Sequence, residues 1–145
     1  MTGGHLPASF RILPERGLVY VQYSGFIRLA DTQRLIQAYL AHPDRHPGQK
    51  QLVDLAAVTG FEQDFVGLMA VQAAKAAIFD PGGRTQTLMV YFAPSDVSFD
   101  MARHILRSWH GVSTVIATVQ RHEAEALDIL GQRERRLEDL LSAAR

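Results

Sequence analysis

The side chains with the reactivity for metal binding or catalysis are six histidines, seven serines and a short acidic cluster, and their spacing limits what they can do. Imidazole is the commonest protein ligand for zinc-like ions. His42 and His46 stand four apart, which would align them on a helix, but Pro43 and Pro47 break that helix. His104 and His110 are six apart and point to different sides of any helix that carries them. No metal site is therefore expected. The absence of cysteine removes thiolate nucleophiles, cysteine-ligated metals and disulfides. Ser24, Ser95, Ser98, Ser108 and Ser113 supply hydroxyls, yet none stands in a G-x-S-x-G elbow, and no His is placed to activate one. No catalytic residue and no cofactor is assigned. A hydrolase or isomerase built on Glu62 or His104 would require a cleft in which such groups converge.

The acidic cluster is more informative. Glu62 and Asp64 flank Gln63 before or within the first turn of an expected helix, where carboxylates interact favourably with exposed amides and the positive dipole end. The same position lies beyond a strand's C-terminal end, where open α/β sheets place ligands and partners. Asp54 stands at that strand's end, where a carboxylate usually caps a turn. Ser95 opens another helix and is a candidate anion contact, although ordinary capping explains it and Asp96 would repel phosphate. Pro81, Gly82, Gly83 and Arg84 spell a tight turn rather than a phosphate cradle.

The elements that must position these groups follow from hydrophobic periodicity. Phe10–Leu13 and Leu18–Tyr23 form a hairpin around Pro14–Gly17, with Gly25 closing the second strand. A helix follows, with Asp31 or Thr32 as its first-turn acceptor and Leu35, Ile36, Tyr39 and Leu40 as its buried stripe; Pro43 ends it. Gln51–Leu55 is a brief strand. Phe61–Phe79 is an Ala-rich helix whose Phe65, Leu68, Met69, Ala73, Ala76 and Phe79 would face the sheet. Thr87–Phe92 is a continuous apolar run, expected near the sheet centre and buried on both faces. Ser95 caps a helix carrying Met101, Ala102, Ile105, Leu106 and Trp109, and Gly111 stops it. Val112–Val119 reads as the last strand, with Thr114 and Thr118 on one face, before a helix from about Arg121 to Leu130.

Alternation of this kind in 145 residues points to one α/β domain, a mostly parallel sheet with an N-terminal antiparallel hairpin. If strands add at one edge, the crossover helices share a face, leaving the other for a C-terminal extension or a partner. The domain is expected over residues 1–130 and the helical extension over 131–145. In the extension Leu127, Leu130, Glu134, Leu137 and Leu141 repeat at spacings of 3, 4, 3 and 4, a heptad-like seam interrupted at Gly131. The stripe must bury against its own sheet or another subunit, which makes a homodimer an expectation. With 47 % apolar and 21 % charged residues and zero net charge, no broad field draws in nucleic acid. The start, Met1–Pro7, lacks the pattern of a secretory signal and no segment reaches a membrane span, so a cytoplasmic location is expected.

The hairpin ending Tyr20-Val21-Gln22-Tyr23-Ser24-Gly25, the strand Leu52–Leu55 with Val58 and Thr59 beyond it, and Val90-Tyr91-Phe92-Ala93-Pro94 together resemble the SpoIIAA-like fold of STAS domains. The resemblance covers roughly residues 8–130 and is most specific to the uncharacterised bacterial STAS/SEC14-like subgroup. It implies a protein-interaction or regulatory module whose loop from Asp54 to Asp64, with Thr59, Glu62 and Gln63, would be the partner-binding surface. In the antagonists of that family a serine opening this helix is phosphorylated to break a complex. Here Gln63 stands among Glu62 and Asp64 where the phosphoacceptor is expected, so the switch is read as lost, with permanent negative charge in its place. Thr59 is the nearby hydroxyl. The alternative reading is a small-molecule or lipid carrier whose apolar pocket is lined by Tyr23, Phe26, Tyr39 and Tyr91 between sheet and helices.

Overall fold

A computed structural model describes residues 6–79, 82 and 85–144, with the side chains of residues 78 and 79 excepted. The turn residues Pro81, Gly83 and Arg84, and the start of the chain through His5, lie outside the described residues. Five strands form one sheet in the order β1-β2-β3-β4-β5. β1 (Ala8–Leu13) and β2 (Leu18–Ile27) pair antiparallel, and β3 (Lys50–Phe61), β4 (Thr87–Phe92) and β5 (Val115–Gln120) add in parallel, each beside its predecessor. The expected α/β class with its N-terminal hairpin is therefore observed. β4 is an interior strand rather than the central one, which is β3. Both faces of β4 are nonetheless covered, Met89 and Tyr91 on one side, Val90 and Phe92 on the other.

The hairpin turns through a single 3-10 turn, Pro14–Arg16, closed by Gly17 at φ 60°, a conformation that costs glycine little. Gly25 does not close β2. It adopts φ 77° at a bulge, where the β2–β3 register shifts, and the strand continues to Ile27. β3 is likewise twice the expected length. Ala56–Gly60 are weak strand formers by type, but the extension of β2 supplies backbone partners, pairing Ser24 with Ala57 and Ile27 with Phe61. Only Gln51–Asp54 pair with β4, so the far halves of β2 and β3 project as a two-stranded ribbon past the rest of the sheet.

The three crossovers, α1 (Leu29–Leu40), α2 (Phe65–Phe79) and α3 (Asp96–Ser108), cover one face, as right-handed connections to a sheet growing at one edge require. In α1, Leu35, Ile36 and Tyr39 are buried, and the Asp31 carboxylate accepts a 2.7 Å hydrogen bond from the Arg28 amide. Ser95 caps α3: its Oγ accepts from the Ser98 amide at 3.2 Å, and the Ser98 Oγ accepts from the Ser95 amide at 3.0 Å. Trp109 packs beneath α3 and donates to the Tyr91 hydroxyl at 3.0 Å. β5 begins three residues later than expected, leaving Thr114 before the strand, and its outward face carries Ile116 with Thr118.

The other face is covered by α4 (Glu123–Ile129) and α5 (Leu137–Ala143). Leu127, Leu130, Leu137 and Leu140 bury against Leu13, Leu18, Tyr20, Leu52, Val90 and Phe92. The leucine seam thus lies on its own sheet, with Leu140 in the buried place expected of Leu141, which is half-buried beside it, and it does not supply the dimer contact for which it argued. Gly131, at φ 74°, makes the bend between the two helices. Glu134, the charged exception in the seam, receives two hydrogen bonds from Arg16 at 2.6 and 2.9 Å, tying the extension to the hairpin turn.

The hydrogen bonds from Arg16 hold the Glu134 carboxyl down at about 2. Its folded-state proton affinity lies below the ordinary value of 4.5, so the pair stabilises the fold above that value and the contribution disappears as pH falls towards 2. Glu134→Gln is expected to melt at a lower temperature than the parent at neutral pH, with the two curves converging between pH 4.5 and 2 when melts are recorded across that range.

Candidate functional site

The β2–β3 ribbon sets the geometry. β3 ends at Phe61, and Glu62, Gln63 and Asp64 cross to α2, so the connection is three residues rather than a loop from Asp54 to Asp64. α2 starts at Phe65, four residues later than expected. The Asp64 Oδ1 accepts from the Gly67 amide at 2.9 Å and caps it. Gly67 permits a close approach here, since a Cβ would stand 2.7 Å from the Leu29 side chain and closer still to the Asp64 carboxylate. Glu62 serves a different helix from the one expected: its Oε1 accepts from the Leu29 amide at 2.9 Å, at the start of α1.

Asp54 does not join this cluster. Strand alternation turns it to the opposite face, where Tyr20 Oη donates to it at 2.5 Å and the Ala56 amide at 3.0 Å. Burial and this carboxylate push the Tyr20 hydroxyl well above the ordinary tyrosine range. Thr59 is exposed within β3, at the register shift between Val58 and Gly60. Ser95 is the N-cap ahead of α3 and is engaged in its reciprocal cap, so its hydroxyl is occupied by Ser98.

What the ribbon and the crossover helices enclose is a recess with two compartments. The outer one, about 180 Å³, is lined by Phe61, Glu62, Gln63, Asp64, Phe65, Leu68 and His104. Four of these residues, Phe61, Glu62, Leu68 and His104, also line the inner slot of about 50 Å³, which runs to Tyr23, Gln72, Lys75 and Tyr91. Of the four aromatics expected to line a pocket, Tyr23 and Tyr91 do so, and Tyr39 lines a smaller adjoining space of about 20 Å³ that also reaches Lys75. Phe26 lies outside, half exposed, with the Arg28 guanidinium 5.3 Å over its ring. His104 packs edge-on against Phe61 at 5.2 Å, with Nδ1 3.1 Å from the Asp100 carbonyl oxygen. Among the described residues no group of three His, Asp or Glu side chains comes together to hold a metal ion.

α2 is oriented only partly as expected: Leu68 and Ala76 pack on the core as the stripe requires. Its residues are apolar almost all round, and the polar Gln72 and Lys75 turn inward, only 3 % and 9 % exposed. Gln72 donates to the Ser108 hydroxyl at 3.2 Å, and the Lys75 ammonium stands 5.9 Å over the Trp109 ring. Burial lowers the Lys75 amine to about 8 and raises the Tyr23 hydroxyl to about 12. Met69 and Ala73, expected to face the sheet, are instead exposed with Val66, Ala70, Ala74 and Ala77. Periodicity misplaced these two because apolar residues surround the helix and define its buried direction poorly. The signal that was present is the i, i+3 spacing of its two polar residues, which marks a single face.

No family model and no curated protein matches this chain. Among the described residues no helix is long and apolar enough to cross a membrane.

Proposed function

We propose that this chain is a STAS-like protein-interaction module without the phosphoacceptor switch, and that it docks its partner on the outer face of α2 and the acidic connection before it. One observation carries the reading: α2 turns both its polar side chains to the core and leaves an outer face made wholly of apolar residues, with Val66 78 % and Met69 46 % exposed beside Ala70, Ala73, Ala74 and Ala77. A solvated helix has the reverse arrangement, so this face is built to be covered. Glu62, Gln63 and Asp64 border its N-terminal end, all exposed, so the fitting partner is a protein with an apolar patch rimmed by Lys or Arg. Gln63 takes no phosphate, and Glu62 and Asp64 hold their charge constantly, which makes the docking constitutive. Asp54 is excluded from this surface by its burial, and Ser95 by its engagement as the N-cap of α3.

The test uses the full chain as bait in its native cells, followed by calorimetry with the purified captured protein. Met69→Glu is expected to weaken that binding by at least ~10-fold with melting temperature little changed, because the position is exposed, and Glu62→Lys with Asp64→Lys to weaken it in a salt-dependent way while also lowering the melting temperature through the lost helix caps. Unchanged affinity in both variants would refute the surface. A chain that dimerises through α2, and falls to monomer with Met69→Glu, would replace the partner with a second copy.

The carrier reading has a recess to support it, but the inner slot of about 50 Å³ is well below the ~150 Å³ that accepts a benzene-sized guest. An acyl chain would have to lie in the outer compartment of about 180 Å³.

A further inference from the structure

The chain uses lysine at only two positions, Lys50 and Lys75, against thirteen arginines. Lys50 is structural: its Nζ donates to the Leu130 carbonyl at 3.2 Å, helping to hold α4 in place. Lys75 is the one that reaches the recess, lining the inner slot and the adjoining small space together. Arginine and lysine differ in one chemical respect that matters here. Guanidinium stays protonated at any physiological pH, whereas a desolvated lysine amine loses its proton and becomes a nucleophile.

We propose that Lys75, at the inner end of the recess, is an imine-forming site for a small aldehyde or ketone. The slot admits roughly three or four water-sized groups, which matches a carbonyl carbon, its oxygen and one or two attached carbons. A longer substituent would have to lie back through the mouth, along Phe61 and Leu68. In the reaction the neutral amine's lone pair attacks the carbonyl carbon while the C=O π electrons move to oxygen. After proton transfer from nitrogen, the oxygen leaves as water and C=N forms. Hydrolysis runs the same steps in reverse, so no oxidant or reductant is consumed. The amine's lowered proton affinity leaves roughly a tenth of it neutral at pH 7, against about 0.03 % for an ordinary lysine. The titratable and charged groups around the two spaces are Tyr39 of α1, Tyr23 of β2, Tyr91 of β4, His104 of α3, and Arg28 and Glu62 at the mouth. Both tyrosines of the slot titrate far above neutrality, so they keep their protons where the Lys75 amine loses its own.

This site is independent of the docking face, and its test separates the two. The wild-type chain is incubated at pH 7 with acetaldehyde and cyanoborohydride, which reduces any imine to a stable ethylamine, and the two lysines are compared by peptide mapping. Lys75 is expected to be labelled at least ~10-fold faster than Lys50, and the preference should vanish in urea, where both amines are ordinary. Pivaldehyde, whose branched carbon exceeds the slot, is expected to leave Lys75 unlabelled in the folded chain. Equal or slower labelling of Lys75, persistence of the preference in urea, or equal labelling by pivaldehyde would each overturn the proposal. Met69→Glu should leave the labelling ratio unchanged, whatever it does to partner binding. Because the comparison is made within one wild-type molecule, it needs no variant at position 75.

Discussion

Leu140→Ala is expected to lower the free energy of unfolding by about 2–5 kcal/mol, by the same amount at every protein concentration. Leu140 is fully buried in the layer formed by Leu127, Leu130, Leu137 and the second sheet face. Truncating it removes apolar contact and leaves a cavity that α5, only seven residues long, has few means to collapse around. The helix is anchored at both ends. Glu123 Oε1 accepts from the Leu137 amide at 2.8 Å, and Arg11 donates to the carbonyls of Leu141 and Ala144. These ties keep the damaged helix in register, so the loss registers in the global transition. Urea denaturation followed by circular dichroism at several protein concentrations reads both quantities. If the leucines were a seam between subunits, the midpoint would rise with concentration and the variant would abolish that rise.

Lys75→Met acts in the opposite direction. It is expected to stabilise the chain by about 1–3 kcal/mol at pH 7, because a flexible apolar side chain of similar length replaces a desolvated ammonium. The interactions of the ammonium, the cation–π contact with Trp109 among them, offset part of the burial cost, which sets the lower end of that range. The pH dependence identifies the cause. Below about 8 the amine is protonated in both folded and unfolded chains, so the variant's advantage is constant. Between about 8 and 10.5 the unfolded chain keeps the proton that the folded one has released, so the wild type gains stability with rising pH and the advantage shrinks. Denaturation curves at pH 6.5, 7.5, 9 and 10 measure this. A variant less stable than wild type at pH 7 would mean that the interactions of the ammonium outweigh its burial.

Several parts of this molecule were legible before folding because they depend on neighbours in the chain. The cap at Ser95 needs only Ser98, the hairpin turn only Pro14 and Gly17, and the strand at Thr87–Phe92 only its unbroken apolar run. The parts that were misread depend on groups distant in sequence. Ala56–Gly60 are strand because Ser24–Ile27 lie beside them. Asp54 and Glu62 look like neighbours along the chain, yet pleat alternation and the bulges of the ribbon send them to different faces, one under Tyr20 and the other to the start of α1.

Residue types and their local spacing alone settled the α/β order of elements, the existence of two amphipathic layers and the presence of a leucine stripe, since each is written in periodicity over a few turns or a single strand. Tertiary packing alone decided where the stripe goes, which side of α2 meets solvent, and that Gln72 and Lys75 meet a recess beneath it. The reason is that burial is a competition among all apolar faces for two sides of one sheet. A helix that is apolar all round carries no instruction about which side wins.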